Sequence, residues 1–161
     1  MTSTTSPSFR QLASFTLRSE PGNERVALAQ VAEAVAGEGL SPSRLERLKT
    51  AVAEAAMNAI EHGNRNQAEV PVDVVVTAAE GNIVVTITDQ GGAPEEAGPG
   101  AEPDLAAKLT GEQPPRGWGL FLIRHMVDAM DVTTQGTRHT VRLVMRAAAP
   151  DGEGAPREST L

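Results

Sequence analysis

Cysteine and tyrosine are both absent from this chain, and one Trp and three Phe are all it has of aromatic side chains. Without thiols there can be no disulfide and no thiolate metal site. With so few rings the core must be aliphatic, and nucleobases cannot be held by stacking along an aromatic platform. Positive charge is scarce as well: 14 Lys and Arg face 21 Asp and Glu, a formal net charge of -7. That balance argues against a phosphate-backbone binder, so no direct nucleic-acid partner is expected. No apolar run approaches the roughly 20 residues of a membrane span. The opening MTSTTSPSFRQ lacks the charged start and apolar stretch of a secretory signal. A cytoplasmic protein with no membrane partner is the expectation.

What is present suits one domain with a real core: 161 residues, 40% of them hydrophobic and rich in Ala and Val. Residues 1–12 read as a disordered tail, 13–147 as the folded domain and 148–161 as a second tail. Residues 14–18 alternate as a short strand. A turn at Pro21-Gly22-Asn23, with Asn23 as candidate cap, starts a helix built on Val26, Leu28, Ala29, Val31, Ala32 and Val35 that ends near Gly37 and Gly39. Ser41 caps a second helix with Pro42 in its first position. Along it Leu45, Leu48, Val52, Ala55, Ala56 and Ala59 form one apolar stripe, and Gly63 closes it. Residues 70–77 and 83–88 are β-branched runs around a Gly81-Asn82 turn. A long irregular segment, residues 90–119, precedes a strongly apolar third helix (120–130), expected to be well buried, and two more strands (132–135 and 140–146). The order predicts an α/β fold: a two-layer sandwich, with a largely antiparallel mixed sheet covered on one face by three helices.

Three short stretches carry candidate chemistry. Glu54 and Asn58 are four apart on the second helix and stack roughly opposite its apolar stripe. A carboxylate that can take a proton, one turn from a carboxamide oxygen that can bind a hard cation, suits metal-assisted phosphate chemistry, although a solvated polar face reads equally well. Asp89-Gln90-Gly91-Gly92 ends a strand, where an Asp can accept from an exocyclic amine and the glycines leave space for a flat ligand. An ordinary Asp-Gly turn is the alternative. Arg116-Gly117-Trp118-Gly119 opens the third helix, whose exposed N–H groups form a natural phosphate seat, with Arg116 able to pair with phosphate oxygens.

In order and spacing, Glu54-x-x-x-Asn58, Asp89-x-Gly91 and Gly117-x-Gly119 before an apolar helix resemble the ATP-binding fold of gyrase, the ninety-kilodalton heat-shock chaperone, histidine kinases and MutL. The size and the stretch EAAMNAIEHGN narrow the resemblance to anti-sigma-factor serine/threonine kinases of the RsbW type. It spans about residues 15–146. The resemblance implies ATP and Mg²⁺ as cofactors. Asn58 would hold the Mg²⁺, and Glu54 would act as general base. Asp89 would read the adenine amine, with Gly91 permitting its approach. Gly117 and Gly119 would seat the phosphates under a lid of residues 92–116. Gly136-Thr137 resembles the family's terminal Gly-Thr, which places Thr137 near the adenine. The assignment of Arg116 to the γ-phosphate is independent of the resemblance. One position departs from the pattern: Ala93 stands where a second glycine is usual, in a lid rich in acid.

The function implied is that of an ATP-dependent protein kinase. It would bind a sigma factor and phosphorylate a small anti-anti-sigma protein, with a homodimer as the expected assembly. A non-catalytic nucleotide switch controlling partner binding is the first alternative. The ATP-binding half of a two-component histidine kinase is the second. That reading needs a helical segment bearing a phospho-accepting His before the ATP domain, and only short sequence precedes Phe15.

Overall fold

The computed structural model describes residues 9–91 and 115–147, with side chains from residue 10 in the first block and residue 120 in the second. Five strands form one sheet in the order β1-β2-β3-β5-β4, where β1 is Phe9–Leu17, β2 Val72–Ala79, β3 Asn82–Asp89, β4 Ala129–Gln135 and β5 Arg138–Arg146. All four pairings are antiparallel, so no mixed pair occurs among the described strands. Three α-helices accompany the sheet: α1 Asn23–Ala34, α2 Pro42–Asn58 and α3 Pro115–Met126. α2 is the central one, packed against both α1 and α3 and over β3 and β5.

The sheet's helix-facing rows are read directly from period-2 alternation. Val72, Val74 and Val76 on β2, Ile83, Val85 and Ile87 on β3, and Val141, Leu143 and Met145 on β5 are all buried. The opposing stripe of α2 buries Leu48, Val52, Ala55, Ala56 and Ala59 as the spacing predicts, together with Ala51. Small side chains on α2 let the helix lie close to the sheet, so an almost ring-free sequence still closes a core.

Several boundaries fall elsewhere than the sequence suggests. β1 starts at Phe9, inside the expected tail, because β2 offers a partner as far as Ala79, and a bulge between Gln11 and Ala13 keeps the register. In α1 the buried row is Ala27, Val31 and Val35, whereas Val26 is exposed. Asn23 is the helix's first residue rather than its cap, and its side-chain amide donates to the Arg18 carbonyl at 2.8 Å. Ser41 does cap α2, its Oγ accepting from the Arg44 N–H at 3.1 Å. The β2–β3 turn is Glu80-Gly81, both at positive φ (54° and 83°), as a two-residue type I′ hairpin requires. Asn82 is already paired with Ala79.

α3 covers residues 115–126 rather than 120–130. Val127 and Met130, which sustained the longer helical pattern, are buried from the connection and from β4. Nor is α3 buried all round: Ile123 is fully buried, but Phe121 and Leu122 are 43% and 40% exposed. No helix among the described residues is long and apolar enough to cross a membrane.

Candidate functional site

α2 does not end as a plain helix. Its last turn widens into a π-helical turn, Ala59–Gly63, closed by an Asn64 N–H to Ala59 carbonyl bond of 2.8 Å. Single π turns inside or at the end of α-helices often mark functional sites. This one sets Gly63 against the end of β3. A Cβ at Gly63 would collide with the carboxylate of Asp89, and a Cβ at Gly91 would collide with the Gly63 carbonyl. Only glycine at both positions lets the two backbone segments close on each other.

Asp89 sits at this junction because it is the next residue in the core-facing row Ile83, Val85, Ile87. A carboxylate therefore points where the apolar rows stop, and it is only 3% exposed. Its Oδ1 accepts from the Gly91 N–H at 3.1 Å, and its Oδ2 lies 3.2 Å from Nδ1 of His139. His139 is the register partner of Asp89 across β3 and β5, and it continues β5's own core row of Val141, Leu143 and Met145. Behind the carboxylate, Asn64 locks the backbone. Its Oδ1 accepts from the Gln90 N–H at 2.8 Å. Its Nδ2 donates to Ser19 Oγ at 2.9 Å and to the carbonyls of Pro71 and Val70 at 3.1 and 3.3 Å. Asn64 and Ser19 are both buried.

Asn58, Ala55, Ala59, Gly63, Asp89, Leu120 and His139 line one small cleft, floored by Ile87 and Val141. Asn58 thus flanks the apolar stripe of α2 instead of opposing it, because α2 is covered by α3 on that side as well as by the sheet. Its Nδ2 is buried and has no hydrogen-bond partner. Such an orphan costs about 1–3 kcal/mol, a cost that makes sense where a ligand completes the bonding. Half a turn about the last side-chain bond exchanges its N–H group for a carbonyl oxygen, the hard donor a Mg²⁺ ion takes. No cluster of three or more His, Asp or Glu among the described residues could hold a metal alone. A cation here would draw further ligands from phosphate or water, as Mg²⁺ habitually does.

The remaining sequence candidates fall as follows. Glu54 lies one turn before Asn58 on α2, partly buried and engaged in an interaction of its own. Gly117, Gly119 and the backbone of Arg116 lie within the first turns of α3, so the helix starts at Pro115 and includes the glycine pair rather than following it. Leu120, directly after them, reaches the cleft. The Arg116 side chain, Ala93 and the lid lie outside the described residues, apart from the backbone where α3 begins. Thr137 is not brought to the site. Gly136-Thr137 is the exposed two-residue turn of the β4–β5 hairpin, with Gly136 at φ 63°. The groups this strand contributes instead are His139 and Thr140, whose Oγ1 is 2.9 Å from Thr88 Oγ1.

His139 and Asn64 were therefore missed by sequence reasoning. For His139 a signal existed: it is in period-2 phase with a core row, where a polar residue needs a reason. For Asn64 there was little beyond its place after Gly63.

Residues 17–145 match the family described as "Histidine kinase-like ATPase domain". Over 133 residues the chain is 29% identical to the anti-sigma F factor of Geobacillus stearothermophilus, covering 83% of this chain and 88% of that protein. The anti-sigma F factor of Clostridium botulinum strain Eklund 17B is 27% identical over 76% of this chain and 84% of its own length. Among solved structures, that of the RsbU and RsbW domains of Rv1364c from Mycobacterium tuberculosis superposes with a TM-score of 0.62 at 21% identity, over 92% of this chain and 34% of that one. A chain of the SiaB–SiaC complex from Pseudomonas aeruginosa also gives 0.62, at 19% identity, over 84% of this chain and 90% of its own. With most of its length accounted for by one family and its fold shared by these structures, the chain belongs to the histidine kinase-like ATPase domain family.

Proposed function

We propose that this chain is an ATP-dependent serine/threonine protein kinase that acts as an anti-sigma factor, binding a sigma factor and phosphorylating an anti-anti-sigma protein. The observation that carries the reading is the cleft itself. It joins an unsatisfied, buried Asn58 amide to a fixed, buried Asp89 carboxylate, on a chain similar to two anti-sigma F factors. The roles follow from chemistry. Asp89 accepts the exocyclic amine of adenine, and the Gly63–Gly91 contact keeps that carboxylate in place. Asn58 would hold Mg²⁺, which when bound neutralises charge on the transferring phosphate. Glu54, one turn away, orients the attacking hydroxyl of the partner protein and takes its proton. The first turn of α3, with Gly117 and Gly119, directs N–H groups to the phosphates, and Arg116 contacts the γ-phosphate. A cytoplasmic homodimer is the assembly we infer.

The test has two stages. Calorimetric titration with Mg-ATP should show binding that Asp89→Asn weakens. Incubation with γ-labelled ATP and a small candidate antagonist should then label one of its Ser or Thr residues. Absence of ATP binding by the wild-type chain overturns the whole reading.

One observation favours a second reading, a nucleotide switch without transfer. The cleft holds only about 20 Å³ of free space, about one water molecule's worth. Admitting a purine needs more room than this, and a widening of the cleft can change partner affinity by itself. Nucleotide-dependent partner binding with an unlabelled partner would select this alternative.

A further inference from the structure

We propose that His139 is a positioning residue for Asp89 and sets the preference of the cleft for an aminopurine over an oxopurine. The inference rests on the nucleotide reading above and adds to it a residue on a different strand.

Both oxygens of the Asp89 carboxylate are engaged. Oδ1 is held by the Gly91 N–H at 3.1 Å and Oδ2 by His139 Nδ1 at 3.2 Å. The first bond is local, two residues away in sequence. It fixes one oxygen but leaves the plane of the carboxylate able to turn about its last side-chain bond. The second comes from a neighbouring strand, across the Asp89–His139 register pair, and removes that freedom. The two side chains are 4% and 20% exposed, so water replaces neither partner cheaply.

The pairing also fixes the imidazole. With Nδ1 donating to Oδ2, the ring orients a carboxylate, a group that offers acceptors alone. The Asp89 oxygens so held are acceptors at the cleft that Asp89 and His139 line. The ligand edge that satisfies them carries an N–H donor, as the 6-amino group of adenine does. The O6 of guanine in the same place sets acceptor against acceptor, a mismatch that sites built on hydrogen bonding reject strongly. Gln135 and Thr134 on β4 and Arg138 beside His139 are exposed at the outer edge of the hairpin and cannot supply this selection from within the cleft.

The measurement is calorimetric affinity for Mg-ATP and Mg-GTP in the wild-type chain, His139→Ala and His139→Asn, with a thermal melt of each. The Asn amide nitrogen occupies the same place along the side chain as Nδ1, so it can restore the bond to Oδ2. Should His139→Ala not fold, His139→Leu, close in volume and without a donor, takes its place. The expected result is about a ten-fold or greater loss of ATP affinity in the donor-less variant, the size of one hydrogen bond to a charged group. GTP affinity should change less, and His139→Asn should recover most of the ATP preference. Equal ATP affinity and an unchanged ATP-to-GTP ratio in a folded donor-less variant would overturn the proposal. So would His139→Asn failing as badly as His139→Ala, which would reduce His139 to a packing role. A wild-type chain that binds no ATP overturns the nucleotide reading itself, a different outcome from wild-type binding that ignores His139.

Discussion

Replacing Gly63 by alanine tests the geometry of the cleft with a single methyl group. Gly63 is not in the left-handed region, so its backbone accepts an alanine without strain. The entire effect must come from what the new Cβ meets, which is the Asp89 carboxylate. That carboxylate cannot step aside freely, because it is buried and tied to Gly91 at 3.1 Å and His139 at 3.2 Å. Breaking one hydrogen bond to a charged group costs about 1.5–3 kcal/mol, and overpacking a closed site adds about 1–3 kcal/mol. Partial relaxation brings the sum to about 2–4 kcal/mol, which in a chain of this length lowers the melting temperature by about 6–12 °C.

The same displacement moves the adenine-reading group, so affinity for Mg-ATP should fall by about ten-fold or more. Gly37→Ala is the matched control. Nothing lies within 4 Å of a Cβ built there, and the change should be neutral or stabilising by up to about 1 kcal/mol. Differential scanning calorimetry and isothermal titration on both variants decide the matter. If Gly63→Ala melts with the wild type and binds ATP equally well, Gly63 and Asp89 are not in contact and the cleft is not built as described.

Three further substitutions separate fold from function. Asn58→Ala removes a buried amide that has no partner, so urea unfolding should show stability unchanged or raised by up to about 1 kcal/mol, while Mg-dependent ATP affinity measured by calorimetry collapses. Asn64→Ala does the reverse. It deletes four hydrogen bonds that join the ends of β1 and β3 and the start of β2, and the urea midpoint should report a loss of about 2–4 kcal/mol. Glu54→Gln preserves shape and should leave ATP affinity within about two-fold, but slow transfer of labelled phosphate to the partner by about a hundred-fold or more.

The parts of this fold that were legible in the sequence are those with a strict period. The α2 stripe was readable because its residues face one core without interruption, and β2 and β3 were readable as strands from their β-branched runs. Legibility failed where an element changes its period or borrows its neighbour's. Val127 and Met130 extend an apparently helical pattern past Met126, yet they are buried from a connection and a strand. The first residues of β1 look like a tail until β2 supplies hydrogen bonds for them. For the candidate site, Asp89, Gly91 and Asn58 were singled out in the sequence by resemblance. The structure adds that Asn58 and Asp89 share a cleft and that Asp89 and Gly91 close on Gly63. Thr137 lies in an exposed hairpin turn and does not line that cleft; a Gly-Thr pair reads alike in a turn and in a binding loop.

The cleft's two ends are built by different means, and this decides which substitutions can be read as functional. At Asp89, the described holding contacts are the Gly91 N–H, the His139 ring, the Gly63 approach and the Asn64 lock on Gln90. Such a site is preorganised, so a ligand spends little of its binding energy on ordering it. At Asn58 the opposite holds, since its amide nitrogen is buried without a partner within the fold and is free to bond a group that enters the cleft. Perturbing the first end should therefore move stability and affinity together. Perturbing the second should move affinity alone, or lower it while stability rises. A variant series in which Asn58 changes destabilise the chain as much as Asn64 changes do would show that Asn58 already has its partners within the fold, and the case for a cation at that position would be lost.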